Sequence, residues 1–348
     1  MGARLGRGLR SVLAGPLLFG ALTTVSLAEA SALTAGTAEA STTSLIGSTG
    51  TGYISNATTV PANAIGPTYQ IIGASRADSL VAGGLSQTVA NYYFNQPKAF
   101  MTNGANGHSP HFTVAHIAEA HARYPLASQT WLFNSYGSNY LTKQPGILGV
   151  FGHGGIYGPG RANPRGLSMV QYDPEGQASN GTPRAECGAL EKGNLSYVKA
   201  AIALVHAKGL RLLLTPSIDV GMVGNEGGFP NKYATWLKQH RGLWSAAGED
   251  YYSIQSQQAE GTPYFRSFVQ QAIAQSRAAA PLVPVGIGIG INPHSPPTVI
   301  TTSILVGAYH TGIVNNAAGF WHNVEIGVNA NVPVSVYVNF LNHEYAIR

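Results

Sequence analysis

The sequence predicts an α/β fold: a single (β/α)8 TIM-like barrel behind a signal peptide and a flexible N-terminal tail. Two observations carry this. Apolar runs that end in polar groups recur along the chain, as in Leu167–Gly176, Leu210–Asp219 and Tyr251–Gly261. Helical patterns separate them, and strands that deliver polar groups at their carboxyl ends, with helices between, describe an α/β barrel or an open α/β sheet. Strands centred near residues 69, 99, 131, 169, 212, 253, 286 and 320 favour the closed form.

Residues 1–32 read as a secretory signal. Arg4, Arg7 and Arg10 are a basic start, Val12–Leu27 is mostly apolar, and Ala28-Glu29-Ala30 and Ala30-Ser31-Ala32 are cleavage sites of the expected small-residue kind. No later run reaches the ~18 apolar residues that a membrane span requires. Residues 33–64 are rich in Ala, Ser, Thr and Gly, so a flexible tail is expected. Residues 65–348 suffice for one barrel, which takes ~250 residues.

The first strand is expected at Pro67–Ser75, a short helix at Leu85–Phe94 and a second strand at Ala99–Thr102. Asn103–Pro110 is loop. Phe112–Arg123 is a helix with Phe112, Ala115, Ile117 and Ala120 toward one face. Thr130–Asn134 is the third strand. Gly146–Gly166 is a glycine-rich insert, expected to be structureless and either disordered or a lid. After the strand at Leu167, a helix spans Leu195–Ala207 and closes at Lys208-Gly209. Leu210–Leu214, a helix at Lys232–His240 and a strand at Tyr252–Ile254 follow. Thr262 is the expected N-cap, and Pro263 the first turn, of a helix through Ala278. Val283–Ile291, a helix at Pro297–Tyr309 and a strand at Gly319–Val324 complete the pattern.

Composition narrows the function. Charged residues are 10% of the chain, against ~25% in typical domains. Low charge and 17 Tyr suit an extracellular protein that handles neutral, hydroxyl-rich small molecules or polysaccharides. The net charge of +5 is scattered, with no basic stripe for nucleic acid. A monomer is expected, with no membrane contact after leader removal. One cysteine, Cys187, excludes an internal disulfide and reads as a small core or loop residue. No CxxC pair or HExxH element marks a metal site, and no phosphate-loop pattern occurs, so neither metal nor cofactor is expected. His153, His294, His310 and His322 match no ligand spacing.

Only 15 residues are Asp or Glu, so acids at strand ends carry weight. Asp173, Glu175, Asp219 and Glu260 are the candidate catalytic acids. Arg76, Asn134, Gln257, Asn292, His294, Trp321 and Asn323 are the candidate substrate-binding residues around the same mouth. Carboxylates, amides and an aromatic platform are the mixture that glycoside cleavage uses. Asp173 and Glu175 equally suit a plain Asp-Pro-Glu-Gly turn, and Glu260 suits a helix N-terminus.

Leader, barrel and strand-end acids, over about residues 67–325, resemble secreted (β/α)8-barrel glycoside hydrolases in layout. The resemblance implies carbohydrate hydrolysis by a carboxylate pair. The chain departs from the largest such clan: the fourth strand offers Asp173 and Glu175, but the seventh ends in Asn292 where a catalytic Glu belongs. The pattern DxxDxDxE is also missing. Two other readings stay open, a non-catalytic carbohydrate-binding barrel and a secreted lyase or cyclase acting on a natural product. Converging acids across an open cleft mark the hydrolase; one lone acid in an apolar pocket marks the lyase or cyclase.

Overall fold

The computed structural model describes residues 68–104, 109–175, 181–220, 229–291, 299–324 and 332–347. The chain divides into two units, and all of these residues lie in the second, Thr51–Arg348. Parallel strands β1 (Tyr69–Gly73), β2 (Ala99–Asn103), β3 (Ser128–Phe133), β4 (Leu167–Tyr172), β5 (Arg211–Leu214), β6 (Tyr251–Ile254), β7 (Val285–Gly290) and β8 (Gly319–Asn323) close in sequence order into a barrel. The chain is therefore a (β/α)8 barrel, as its strand spacing implies.

Helices connect each strand to the next. α1 (Ala74–Ala82) and α2 (Gln87–Phe94) follow β1, and α3 (Pro110–Arg123) follows β2. α4 (Ile147–Phe151) follows β3, and α5 (Arg184–Glu191) and α6 (Ser196–Ala207) follow β4. α7 (Phe229–Lys238) and a 3₁₀ turn (Arg241–Ala246) follow β5. α8 (Phe265–Ala279), α9 (Thr302–Val314) and α10 (Val334–Ala346) follow β6, β7 and β8.

Strand alternation sorts side chains into two shells. One parity faces the helices: Ile72, Met101, Val170, Leu212, Leu214, Val285, Ile287, Ile289 and Phe320 belong to the outer core. α9 comes so close there that a Cβ on Gly312 would stand 2.6 Å from Phe320 Cε1 and 2.8 Å from Ile287 Cδ1. The other parity faces the lumen. Its lower part is sealed by Tyr69, Ile71, Phe100, Met169 and Leu213. Tyr69 stacks on Phe100 at 5.3 Å, and the Arg211 guanidinium lies over Phe100 and Tyr251 while donating to Tyr251 Oη and Ser128 Oγ.

β7 is unusual in that its inward positions are Gly286, Gly288 and Gly290, while its outward ones are Val285, Ile287 and Ile289. Neighbours fill the space. A Cβ on Gly286 would overlap Tyr69 Oη, one on Gly288 would overlap Gln257 Oε1, and one on Gly290 would overlap Asn323 O.

Several expected elements differ. The insert Gly146–Gly166 contains α4, because Ile147, Val150 and Phe151 share a helical face and bury it, with Phe151 against Trp131 and Phe133. In α3, Thr113, Ile117 and Ala120 are buried while Phe112 and Ala115 face outward. Thr262 does not cap α8: its hydroxyl donates to Ala259 O, and the helix starts at Phe265. The helix expected from Pro297 runs instead over Thr302–Val314, where Thr301 Oγ1 accepts from Ile304 N at 3.3 Å.

Candidate functional site

The carboxyl ends of the strands form the end of a (β/α)8 barrel where ligands bind. Met169, Gln171 and Asp173 share the inward parity of β4, so Asp173 stands at the top of the lumen. It is 3% exposed. Gln255 Nε2 donates to its Oδ1 at 2.9 Å, and Thr215 also hydrogen-bonds the carboxyl. Asn134, at the end of β3, donates through Nδ2 to Asp173 O at 3.1 Å.

Below this lies an inward chain of neutral groups. Thr102 Oγ1 donates to Gln171 Oε1 at 3.0 Å, and Gln171 Nε2 donates to Thr215 Oγ1 at 2.9 Å. Thr215 thus has its acceptor lone pair engaged and its proton left for Asp173, so the chain orients hydroxyls toward the carboxyl. Burial pushes the Asp173 pKa well above the usual carboxylate range, and the nearby charge of Glu175 adds to it. Bonds from Thr215 and Gln255 oppose the rise without cancelling it.

Of the other expected acids, Glu175 is the one whose charge acts on Asp173. Glu175 follows it on the same strand end, with its backbone N–H on Thr182 Oγ1 at 2.9 Å. Asp219 is ion-paired with Lys232 of α7. Glu260 is 2% exposed, and its Oε1 accepts from Gly290 N at 3.0 Å. Glu260 also lies within electrostatic range of Tyr233 on α7 and Tyr337 on α10, on the helix side of the barrel. Burial raises its pKa well above normal, partly offset by the Gly290 N–H.

The expected binding residues divide similarly. Asn134 and Gln257 are buried at the mouth, and Asn323 packs against Gly290. Arg76 lies in the first turn of α1. Trp321 is not on the rim: it points into the lumen from the middle of β8, beside Gly288 and Ile71 and against the lower apolar cluster. Asn292 and His294 lie outside the described residues.

Nearby polar groups are structural. Glu186 accepts from Tyr136 N at 2.7 Å, Gly137 N at 2.9 Å and Tyr172 Oη at 2.8 Å, which fixes the turn after β3. Cys187 Sγ donates to Glu175 O, and burial pushes its thiol up to about 11. His322 is held between Tyr337 Oη and Gln70 Oε1, and burial pushes it down to about 3. His310 faces Glu344 in a buried pair. Among the described residues no group of three or more His, Cys, Asp or Glu is arranged to hold a metal.

Gln171, Thr215 and Gln255 were not singled out from sequence, although the period-2 spacing of Met169, Gln171 and Asp173 marks the first of them.

No protein-family model matches the chain, and no curated protein does. Solved structures similar to it include a Rhizobium etli pyruvate carboxylase, at 9% identity and TM-score 0.43 over 82% of this chain and 28% of that one. An oxaloacetate acetylhydrolase in complex with the product oxalate is similar at 12% identity and TM-score 0.39, over 74% of each chain. An aldolase, QR15, is similar at 8% identity and TM-score 0.39 over 81% of this chain and 96% of that one. The chain thus spans 28% of the pyruvate carboxylase. These likenesses concern the barrel alone. The expectation of glycoside hydrolysis is corrected: Asp219 is ion-paired with Lys232 and Glu260 accepts from Gly290 N, so both acids offered as partners for Asp173 are engaged elsewhere.

Proposed function

We propose that this barrel is an enzyme of the lyase or cyclase type, which moves a proton to or from a small natural-product substrate through Asp173. One observation carries the reading: Asp173 is a buried carboxyl at the top of the lumen, held by Gln255 and Thr215. A carboxyl whose pKa lies above the ordinary range exchanges its proton nearer to neutral pH, where general acid and base work is most efficient. The oriented chain from Thr102 through Gln171 to Thr215 keeps the carboxyl in one rotamer, so no reorganisation is needed when a proton moves. Glu175, the acid whose charge reaches Asp173, follows it on the same strand end instead of facing it across a cleft, an arrangement that suits elimination, addition or ring closure.

The test compares wild type with Asp173→Asn on a mixture of small-molecule extracts read by mass spectrometry. Asn keeps the shape and removes the titrating proton, so conversion should fall by ~10²–10⁴-fold with the fold intact. Equal conversion by both proteins, with the same pH profile, would remove Asp173 from the mechanism. We also infer that the protein is exported, from the order of basic, apolar and small-residue parts in residues 1–32. Mass analysis of protein from the culture medium should then find an N-terminus at Ser31 or Leu33, and recovery of Met1 there would refute the inference.

A further inference from the structure

Two groups toward the upper lumen have chemistry that nothing described satisfies. The first is Arg76. Gly73 has the inward parity of Tyr69 and Ile71, and a Cβ built on it would stand 3.3 Å from Arg76 Cγ. The start of the Arg76 stem therefore lies against the β1 end, on the side that Gly73 turns to the lumen. Its guanidinium makes no hydrogen bond or ion pair with a described residue. The second is Gln257, 4% exposed, whose Oε1 lies in the hollow left by Gly288 with no donor.

Each group limits the ligand. A guanidinium is a planar fork of donors that matches a carboxylate in two parallel bonds. One such cation balances one carboxylate, whereas a phosphate dianion would keep unbalanced charge at a mouth that also holds Glu175. A buried amide whose oxygen lacks a donor can accept from a ligand, or flip to offer its nitrogen. A hydroxyl both donates and accepts, so it satisfies either orientation.

The geometry points to a small hydroxycarboxylate as the ligand of this mouth, its carboxylate on Arg76 and its hydroxyl on Gln257, within reach of Asp173. This rests on the acid/base reading only for what happens after binding. Arg76 and Gln257 are binding and specificity residues.

The experiment titrates the purified full chain by calorimetry and thermal shift with lactate and malate, beside propionate, succinate and glycerol. Lactate and malate should bind about tenfold or more tightly than their counterparts without the hydroxyl, because a buried amide is otherwise left unpaired. Arg76→Met should weaken all four carboxylates by about tenfold or more, and Arg76→Lys should lie between, keeping charge but not the fork. Gln257→Leu should erase the preference for the hydroxyl while carboxylate binding stays. Circular dichroism confirms that the variants are folded, and the wild-type preference among ligands needs no variant. Glycerol binding as well as lactate, Arg76→Met binding as wild type does, or no binding to wild type at about 10 mM would overturn the inference. If Asp173→Asn loses turnover while Arg76→Met binds normally, this inference fails and the acid/base reading stands. If Asp173→Asn turns over fully while Arg76 governs binding, the reverse holds.

Discussion

Gly286→Ala tests the interlocking of the glycine strand with the lower lumen. The added methyl would overlap Tyr69 Oη and stand 2.8 Å from Gly319 O. Tyr69 must then move, and its buried hydrogen bond to Tyr252 O, 2.7 Å long, is lost. Overpacking costs about 1–3 kcal/mol. Loss of the bond adds about 1 kcal/mol. Replacing Gly in an ordinary strand conformation returns about 0.4–1 kcal/mol from the unfolded chain. The net is a loss of roughly 2–3 kcal/mol, or a fall in Tm of about 5–10 °C for a domain of this size. Urea denaturation followed by tryptophan fluorescence measures it. The control is Tyr69→Phe, which removes the overlapped atom. Alone it should cost about 1 kcal/mol for the bond. In the Gly286→Ala background it should cost less than that, because the bond is already broken and one clash is relieved. Recovery stays partial, since Gly319 O does not move with the hydroxyl. A Gly286→Ala change within about 0.5 kcal/mol of wild type, or strict additivity of the two substitutions, would refute the packing argument.

Buried acids should set the pH dependence of stability. Burial raises Glu249 to about 7, outweighing the backbone N–H groups of Ala247, Gly248 and Glu249, and Asp173 and Glu260 are raised as well. The folded state keeps protons that the unfolded state gives up. The contribution is therefore fully present below about pH 4.5 and is lost as pH rises through about 7, at a cost for Glu249 of roughly 3 kcal/mol. Glu249→Gln should flatten denaturation midpoints measured between pH 5 and 8, and an unchanged slope would count against it. Glu186→Ala should destabilise by about 3 kcal/mol or more, since it leaves the Tyr136 and Gly137 N–H groups and the Tyr172 hydroxyl without their acceptor. A cost under about 0.5 kcal/mol in urea titrations would show that water replaces the carboxylate.

Much of the barrel was legible because strand alternation is set by covalent geometry. Val285-Gly286-Ile287-Gly288-Ile289-Gly290 reads directly as three apolar residues toward the helices and three glycines toward the lumen. The same reading puts Asp173 on the inward side of β4 with Met169. α4 was hidden because its five residues lie in a glycine-rich segment and are fixed by contact with Trp131 and Phe133 rather than by propensity.

The sequence by itself determined the eight strands, their order and the parity that turns Asp173 into the lumen. Only the tertiary structure decided which strand-end acids meet there. Asp219 finds Lys232 on the next helix, Glu260 finds the Gly290 N–H 30 residues on, and Asp173 finds Gln255 82 residues away. The physical reason is range. Alternation repeats every two residues along one strand, whereas the partner that neutralises or orients a carboxyl comes from a different strand or helix and is fixed only when the barrel closes.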